Sequence, residues 1–131
     1  MPHCSIEHSA GLERECDLTA LCVQIEDAIL GTGLAELGGV RVRAIACVHF
    51  AVADRHPDNA FVDMSLRIGR GRTPDEKRRL GEAIYAEASA FFSQRLKSPH
   101  FALSLEVREI DAELSWKTNS IHPRLRAGKG K

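Results

Sequence analysis

Apolar and polar side chains alternate from the start of the chain: Cys4, Ile6 and His8 fall on one side of residues 3–8, and His3, Ser5 and Glu7 on the other. That period of two predicts a short, half-buried strand. A polar turn containing Gly11 follows, and the spacing then changes. Leu18, Leu21, Cys22, Ile25, Ala28 and Ile29 recur at helical intervals behind Asp17, a natural N-cap, and Gly31 or Gly33 ends the element. After "ELGG", the run "VRVRAIACVHF" (40–50) is rich in β-branched residues and predicts a second strand.

The same order then returns. "AFVDMSLRI" places Val62, Met64, Leu66 and Ile68 on one face, and "GRGR" turns the chain. "TPDE" is a strong helix start: Thr73 is the cap, Pro74 takes the first helical position and Glu76 closes a capping box. Leu80, Ile84, Ala88, Phe91 and Phe92 point that helix inward, and it is expected to run to about Leu96. "FALSLEVREI" closes the unit as an alternating strand, and "ADRHPDN" (53–59) joins the halves as a surface turn. The expected architecture is one α+β domain over 1–131, built from two βαβ repeats at about 2–52 and 60–110. Residues 111–131 follow as a C-terminal segment with a basic tail, "RLRAGKGK". Helical crossovers make the strands parallel within each repeat, with both helices on one face of a four-stranded sheet. The other face is left open, and further subunits are expected to cover it.

Charge narrows the partners. Eighteen basic residues balance eighteen acidic ones among the 131, which argues against binding to nucleic acid or a membrane surface. No apolar run approaches a membrane span and the first residues lack the order of a signal peptide, so a cytoplasmic location is expected. Cys4, Cys16, Cys22 and Cys47 form no C-x-x-C pair and read as reduced, partly buried thiols. The six histidines look equally dispersed, and no metal is expected.

Pro2 has two readings. Proline is tolerated at the first position of a strand, where it has no N–H to lose. A small second residue also permits removal of Met1, which would leave Pro2 with a terminal secondary amine, a base. Such an amine titrates near ~8, and burial or neighbouring arginines would push it down toward the range of a general base. Arg41 and Arg43, two apart, share a strand face, where either can be a solvated edge residue or a fork for a carboxylate. Arg72 precedes a helix start, a position that already attracts anions. "GRGRT" lacks the lysine and spacing of a phosphate loop.

Taken together, "MP" at the start, "GGVRVRA", "FVDMSLRIGRGR", "ALSLEVRE" and the late block of Lys117, Asn119 and His122 resemble the tautomerase superfamily, and within it the 5-carboxymethyl-2-hydroxymuconate isomerase family. The similarity runs nearly end to end. Cys4 departs from it, standing where a bulkier apolar residue is usual, and the basic tail extends past the expected end. The resemblance implies a homotrimer, no cofactor and a small anionic substrate, with proton transfer by an amino-terminal proline assisted by two arginines. In this chain Pro2 matches the proline, Arg41 the strand arginine and Arg72 the turn arginine, the last supplied by the second repeat. One site per chain follows. The implied reaction is keto–enol isomerisation of an unsaturated 2-hydroxy polycarboxylic acid to the 2-oxo acid.

Arg43 is assigned to structure, pairing with an acid across the trimer, and Trp116 to packing at a subunit boundary. The segment carrying Lys117, Asn119 and His122 is expected on a neighbouring subunit, with Asn119 capping a turn. Two rivals stay open. One keeps the proline for decarboxylation or hydration of an unsaturated acid, and the other is a non-catalytic ligand-binding module on the same scaffold.

Overall fold

The computed structural model describes residues 1–129, Lys129 by its main chain alone. Strand β1 (His3–Ser9) leads through a 3-10 turn to helix α1 (Leu18–Gly31) and strand β2 (Arg41–Cys47). Strand β3 (Ala60–Ile68), helix α2 (Pro74–Phe91) and strand β4 (Phe101–Glu109) repeat the unit, and helix α3 (Ile121–Lys129) ends it. The sheet order is β2-β1-β3-β4. The β1–β2 and β3–β4 pairs are parallel, and the central β1–β3 pair, where the repeats meet, is antiparallel.

Local chemistry explains the helix starts. The Asp17 carboxylate accepts the Ala20 N–H at 3.0 Å. At α2 the Thr73 hydroxyl accepts from the Glu76 N–H at 3.1 Å while the Glu76 carboxylate accepts from the Thr73 N–H at 2.9 Å, the reciprocal box expected from "TPDE". α1 stops where the Thr32 hydroxyl donates to the Ile29 carbonyl and Gly33 takes a φ of +74°.

Two boundaries fall short of expectation. β2 ends at Cys47 rather than at Phe50, because β1 ends at Ser9, opposite Cys47, and offers nothing further to pair with. α2 ends at Phe91 rather than near Leu96. Phe92 leaves the helix to pack its ring 5.2 Å from Phe101, and the chain tightens into a 3-10 turn at Arg95–Lys97. Arg95 then pairs with Glu15.

α1 lies against β2, α2 against β4, and the helices touch each other. Between them and the sheet is one core: Ile6, Met64 and Leu66 face Leu21, Ile25, Ile29, Leu80 and Ile84, all fully buried. Each such side chain contributes roughly 1.5–3 kcal/mol. The opposite face is polar and divided by sign. His3 lies opposite Arg41 on one side and Arg67 on the other, and Arg67 opposite Arg108, so a cationic row crosses the sheet at the start of β1. Glu7 lies opposite Asp63 toward the far end.

The C-terminal segment folds otherwise than expected. It packs on its own chain, where α3 rests on residues 37–39 ahead of β2. Most of the basic tail belongs to α3, and Arg126 grips the Glu36 carboxylate with two bonds of 2.6 Å. Gly130 and Lys131, the rest of that tail, lie outside the described residues.

Candidate active site

Pro2 is fully buried at the base of β1, and its carbonyl accepts the Arg41 N–H at 3.0 Å. Because His3 then pairs with Arg41, the Arg41 side chain lies on the open face at the cationic end. There the Arg41 Nη1 donates to the Gly39 carbonyl at 3.2 Å and to the Met1 sulfur at 3.5 Å. Arg43, two residues on, is 3.4 Å from the His3 imidazole, so within the chain its neighbour is not an acid.

Arg72 arrives from the second repeat. Gly71, with φ of +111°, takes the backbone through a conformation that side-chain-bearing residues rarely adopt, and the capping box begins two residues on. The Arg72 guanidinium spans to the first repeat, donating to the Leu34 carbonyl at 2.8 and 3.2 Å and to the Gly69 carbonyl at 3.3 Å. Pro2 and Arg72 line one hollow of about 240 Å³ with Glu36, Lys117, His122 and Arg126. Arg41 lines a second hollow of about 580 Å³ with His3, Arg67, Arg70 and Trp116, the last 86 % exposed at its rim.

Sequence reasoning assigned the 117–122 block to another subunit, yet it completes this site within the chain. Asn119 is the clamp. Its amide donates to the Gly38 carbonyl at 2.9 Å and to the Met1 sulfur at 3.2 Å, while its carbonyl oxygen accepts from the Ile121 and His122 N–H groups and so caps α3. His122 then packs closely against two glycines. A Cβ on Gly38 would stand 2.7 Å from the His122 Nδ1, and one on Gly39 3.4 Å from its Nε2. That Nδ1 is buried, lacks a hydrogen bond and is 3.6 Å from the Glu36 carboxylate. The late spacing of Lys117, Asn119 and His122 was the available signal. What hid their place was the fold-back of a segment without regular structure.

Electrostatics converge on the amino terminus. Burial comes first in holding the terminal ammonium below its ordinary value of 8.0, followed by the charges of Lys117, Arg72 and Arg41. His3 is also held below the usual imidazole value, by burial first and then by Arg67, Arg43 and Arg41. Both shifts favour neutral nitrogens in a cationic surround. Cys4, on the core side of β1, has its thiol pushed up to about 12, chiefly by burial, so it serves as a small apolar residue.

Other parts of the molecule fit the chemistry less well. A hollow of about 740 Å³ lies between α2 and β4, but its Lys77 and Glu109 already pair with each other at 3.6 Å. Tyr85, within α2, donates toward the Leu103 carbonyl and lines that same hollow rather than the one holding Pro2. The histidines are less dispersed than the sequence suggested: His56 and His100 stack at 4.1 Å, with Asp58 beside them. There the His56 Nδ1 accepts the Asp58 N–H and the His100 Nδ1 meets the Asn59 amide oxygen. No described helix is long and apolar enough to cross a membrane.

The sequence and the fold both have counterparts among known proteins. A curated 5-carboxymethyl-2-hydroxymuconate Delta-isomerase from Escherichia coli is 32% identical over 122 residues, 93% of this chain and 97% of that protein. A crystal structure of a 5-carboxymethyl-2-hydroxymuconate isomerase from Deinococcus radiodurans R1 superposes with a TM-score of 0.88 at 31% identity, covering 95% of this chain and 94% of that one. A fused 4-OT, described as a symmetric trimer, shares the fold at a TM-score of 0.63 and 18% identity, covering 88% and 93% of the two chains. The family model described as 5-carboxymethyl-2-hydroxymuconate isomerase matches residues 2–125, and the chain belongs to that family.

Proposed function

We propose that this chain is a cofactor-independent isomerase that ketonises 5-carboxymethyl-2-hydroxymuconate, with the Pro2 nitrogen as its base once Met1 is removed. The observation that carries this reading is the terminal nitrogen itself. The Met1 ammonium, one residue ahead of Pro2, lies in a partly buried, cationic setting where every contributor to its shift lowers its proton affinity, and a Pro2 amine freed by loss of Met1 would face the same Lys117, Arg72 and Arg41 charges. A base at neutral pH must be uncharged to accept a proton, and this field favours the uncharged amine.

Loss of Met1 does more than free the nitrogen. The Met1 sulfur is the weak acceptor for the Arg41 Nη1 and the Asn119 amide. Its departure releases both donors toward the space that a substrate oxygen would occupy. In the proposed reaction Pro2 takes the proton of the 2-hydroxyl, electron density moves through the conjugated chain, and the proton returns to carbon. The product is the unsaturated 2-oxo acid, with no net change in atoms or electrons. Arg41 and Arg72 hold carboxylates and stabilise the charge that gathers on the oxo end.

We also assign a homotrimer. The open, polar face of the sheet and the two unpaired edges at β2 and β4 support an assembly, and a structural neighbour is described as a symmetric trimer. A native mass three times the 14.4 kDa chain is expected, and a monomer at working concentration overturns the assignment.

The central test joins mass spectrometry to kinetics. The mature protein should lack Met1 and should deplete the dienol absorbance, and Pro2→Ala should slow turnover by about 10²-fold or more, in line with a lost acid–base group. A fully active protein that retains Met1 overturns the reading.

A further inference from the structure

We propose that Lys117 binds the third carboxylate of the substrate, on its carboxymethyl arm, and so selects a tricarboxylate dienol over a dicarboxylate one. This rests on the isomerase reading of the Pro2 site. The substrate class has one carboxylate at each end of its conjugated chain and one on a rotatable methylene arm. Arg41 and Arg72 account for two.

The hollows around the amino terminus identify the third cation. Arg41 lines one of them and Arg72 another, and a third of about 300 Å³ runs beside α3. Among the described residues, Met1 and Lys117 are the only ones that line all three. With Met1 gone, Lys117 is the one described side chain common to the joined space. In the chain with Met1 in place, it is also the first of the three charges acting on the Met1 amine, ahead of both guanidiniums.

Competing cations are engaged or distant. Arg126 is held by the Glu36 carboxylate in a two-bond ion pair, and the Arg72 guanidinium is oriented by two backbone carbonyls. Arg67 and Arg70 line only the outer hollow. Lys117 has no hydrogen bond or ion pair among the described residues, while its backbone is fixed by the Asn119 clamp two positions later.

The side-chain types match the carboxylate types. A planar guanidinium fork suits a carboxylate held in the plane of a conjugated system, where two parallel bonds also fix orientation. A carboxylate on a rotatable methylene has no fixed plane, and a compact ammonium on a flexible stem accepts it from many directions.

The experiment compares 5-carboxymethyl-2-hydroxymuconate with 2-hydroxymuconate, which lacks the arm, for wild type, Lys117→Met and Lys117→Arg. Rates are taken on the alkaline plateau of the pH profile, so that a shifted Pro2 pKa does not contribute. Lys117→Met should lower the ratio of the two kcat/KM values at least tenfold, chiefly through a raised KM for the three-carboxylate substrate, and Lys117→Arg should restore most of the ratio. Lys117→Gln serves as the second neutral variant should the methionine chain melt early. An unchanged ratio overturns the proposal, whether both substrates lose rate equally or neither does. Failure of the isomerase reading looks different: wild type turns over neither substrate, or Pro2→Ala is as fast as wild type.

Discussion

The Arg41 N–H donates to the Pro2 carbonyl at 3.0 Å, so the arginine and the proline are joined by the first rung of the β1–β2 ladder. A strand has a side-chain period of two, and a slip of one residue would send Arg41 into the core beside Cys4. The main-chain bond therefore decides which face of the sheet the guanidinium serves, independently of what the guanidinium touches. Arg41→Ala should keep the strand register and a melting temperature close to wild type. It should lose about 10²–10³ in kcat, the usual cost of removing one donor to a developing oxyanion. Stopped-flow ketonisation alongside a thermal melt tests both halves, and wild-type kinetics would remove Arg41 from the site.

Arg72 has a second role that Arg41 lacks, because it ties the Leu34 and Gly69 carbonyls of the two repeats together. Arg72→Ala is expected to lose at least an order of magnitude in kcat/KM and also to destabilise the fold by about 1–3 kcal/mol, as two partly buried carbonyls lose a charged donor. Arg72→Lys keeps the charge without the fork and should fall between. Urea titration separates the two losses: full stability with lost rate would confine Arg72 to the chemistry.

The pH profile follows from the sign of the terminal shift. The Met1 ammonium is held below its ordinary value by burial, Lys117, Arg72 and Arg41; a Pro2 amine taking over as the terminus meets the same charges, and its active form is the neutral one. Activity should therefore rise with pH through an apparent pKa below that of a free α-amino group and reach a plateau on the alkaline side. Neutralising Lys117 or Arg72 removes a repulsion and should move the rising limb to higher pH. A limb that stays in place in both variants would mean that neither charge reaches the base.

Gly38 is small because His122 leaves it no room. A Cβ there would meet the His122 Nδ1 at 2.7 Å and its Cα at 3.1 Å, the latter being backbone that cannot swing aside. Gly38→Ala should lift α3 from residues 37–39, at a cost of about 1–3 kcal/mol by analogy with overpacked cores. The Asn119 clamp would loosen with it, because its acceptor is the Gly38 carbonyl. Hydrogen exchange across 117–126 reads this directly, and unchanged protection would show that the helix accommodates the methyl.

Much of this molecule was legible in one dimension. The alternation in β1 and β3, the helical spacing of Leu21, Ile25 and Ile29, and the Thr73–Glu76 box are local patterns, and each became the element it encodes. Pro2, Arg41 and Arg72 were named from the resemblance to a family, because the residues alone fit a strand start and solvated arginines equally well. The errors cluster where a segment's fate depends on a distant partner. Residues 48–50 have strand propensity but no neighbour once β1 has ended, and residues 92–96 have helical spacing but face an aromatic pocket at Phe101.

Residue order alone determined the two repeats and the face that each helix buries, since those depend on periodicity, whereas Pro2, Arg41 and Arg72 were singled out by the resemblance to a family. Tertiary structure decided that the 117–122 block returns to its own amino terminus. That contact runs from Asn119 to Gly38 and Met1 across most of the chain, through groups with no periodic signature. It also decided that the terminal nitrogen lies among Lys117, Arg72 and Arg41. A pKa depends on distance and burial in three dimensions, and neither can be read from spacing along the chain.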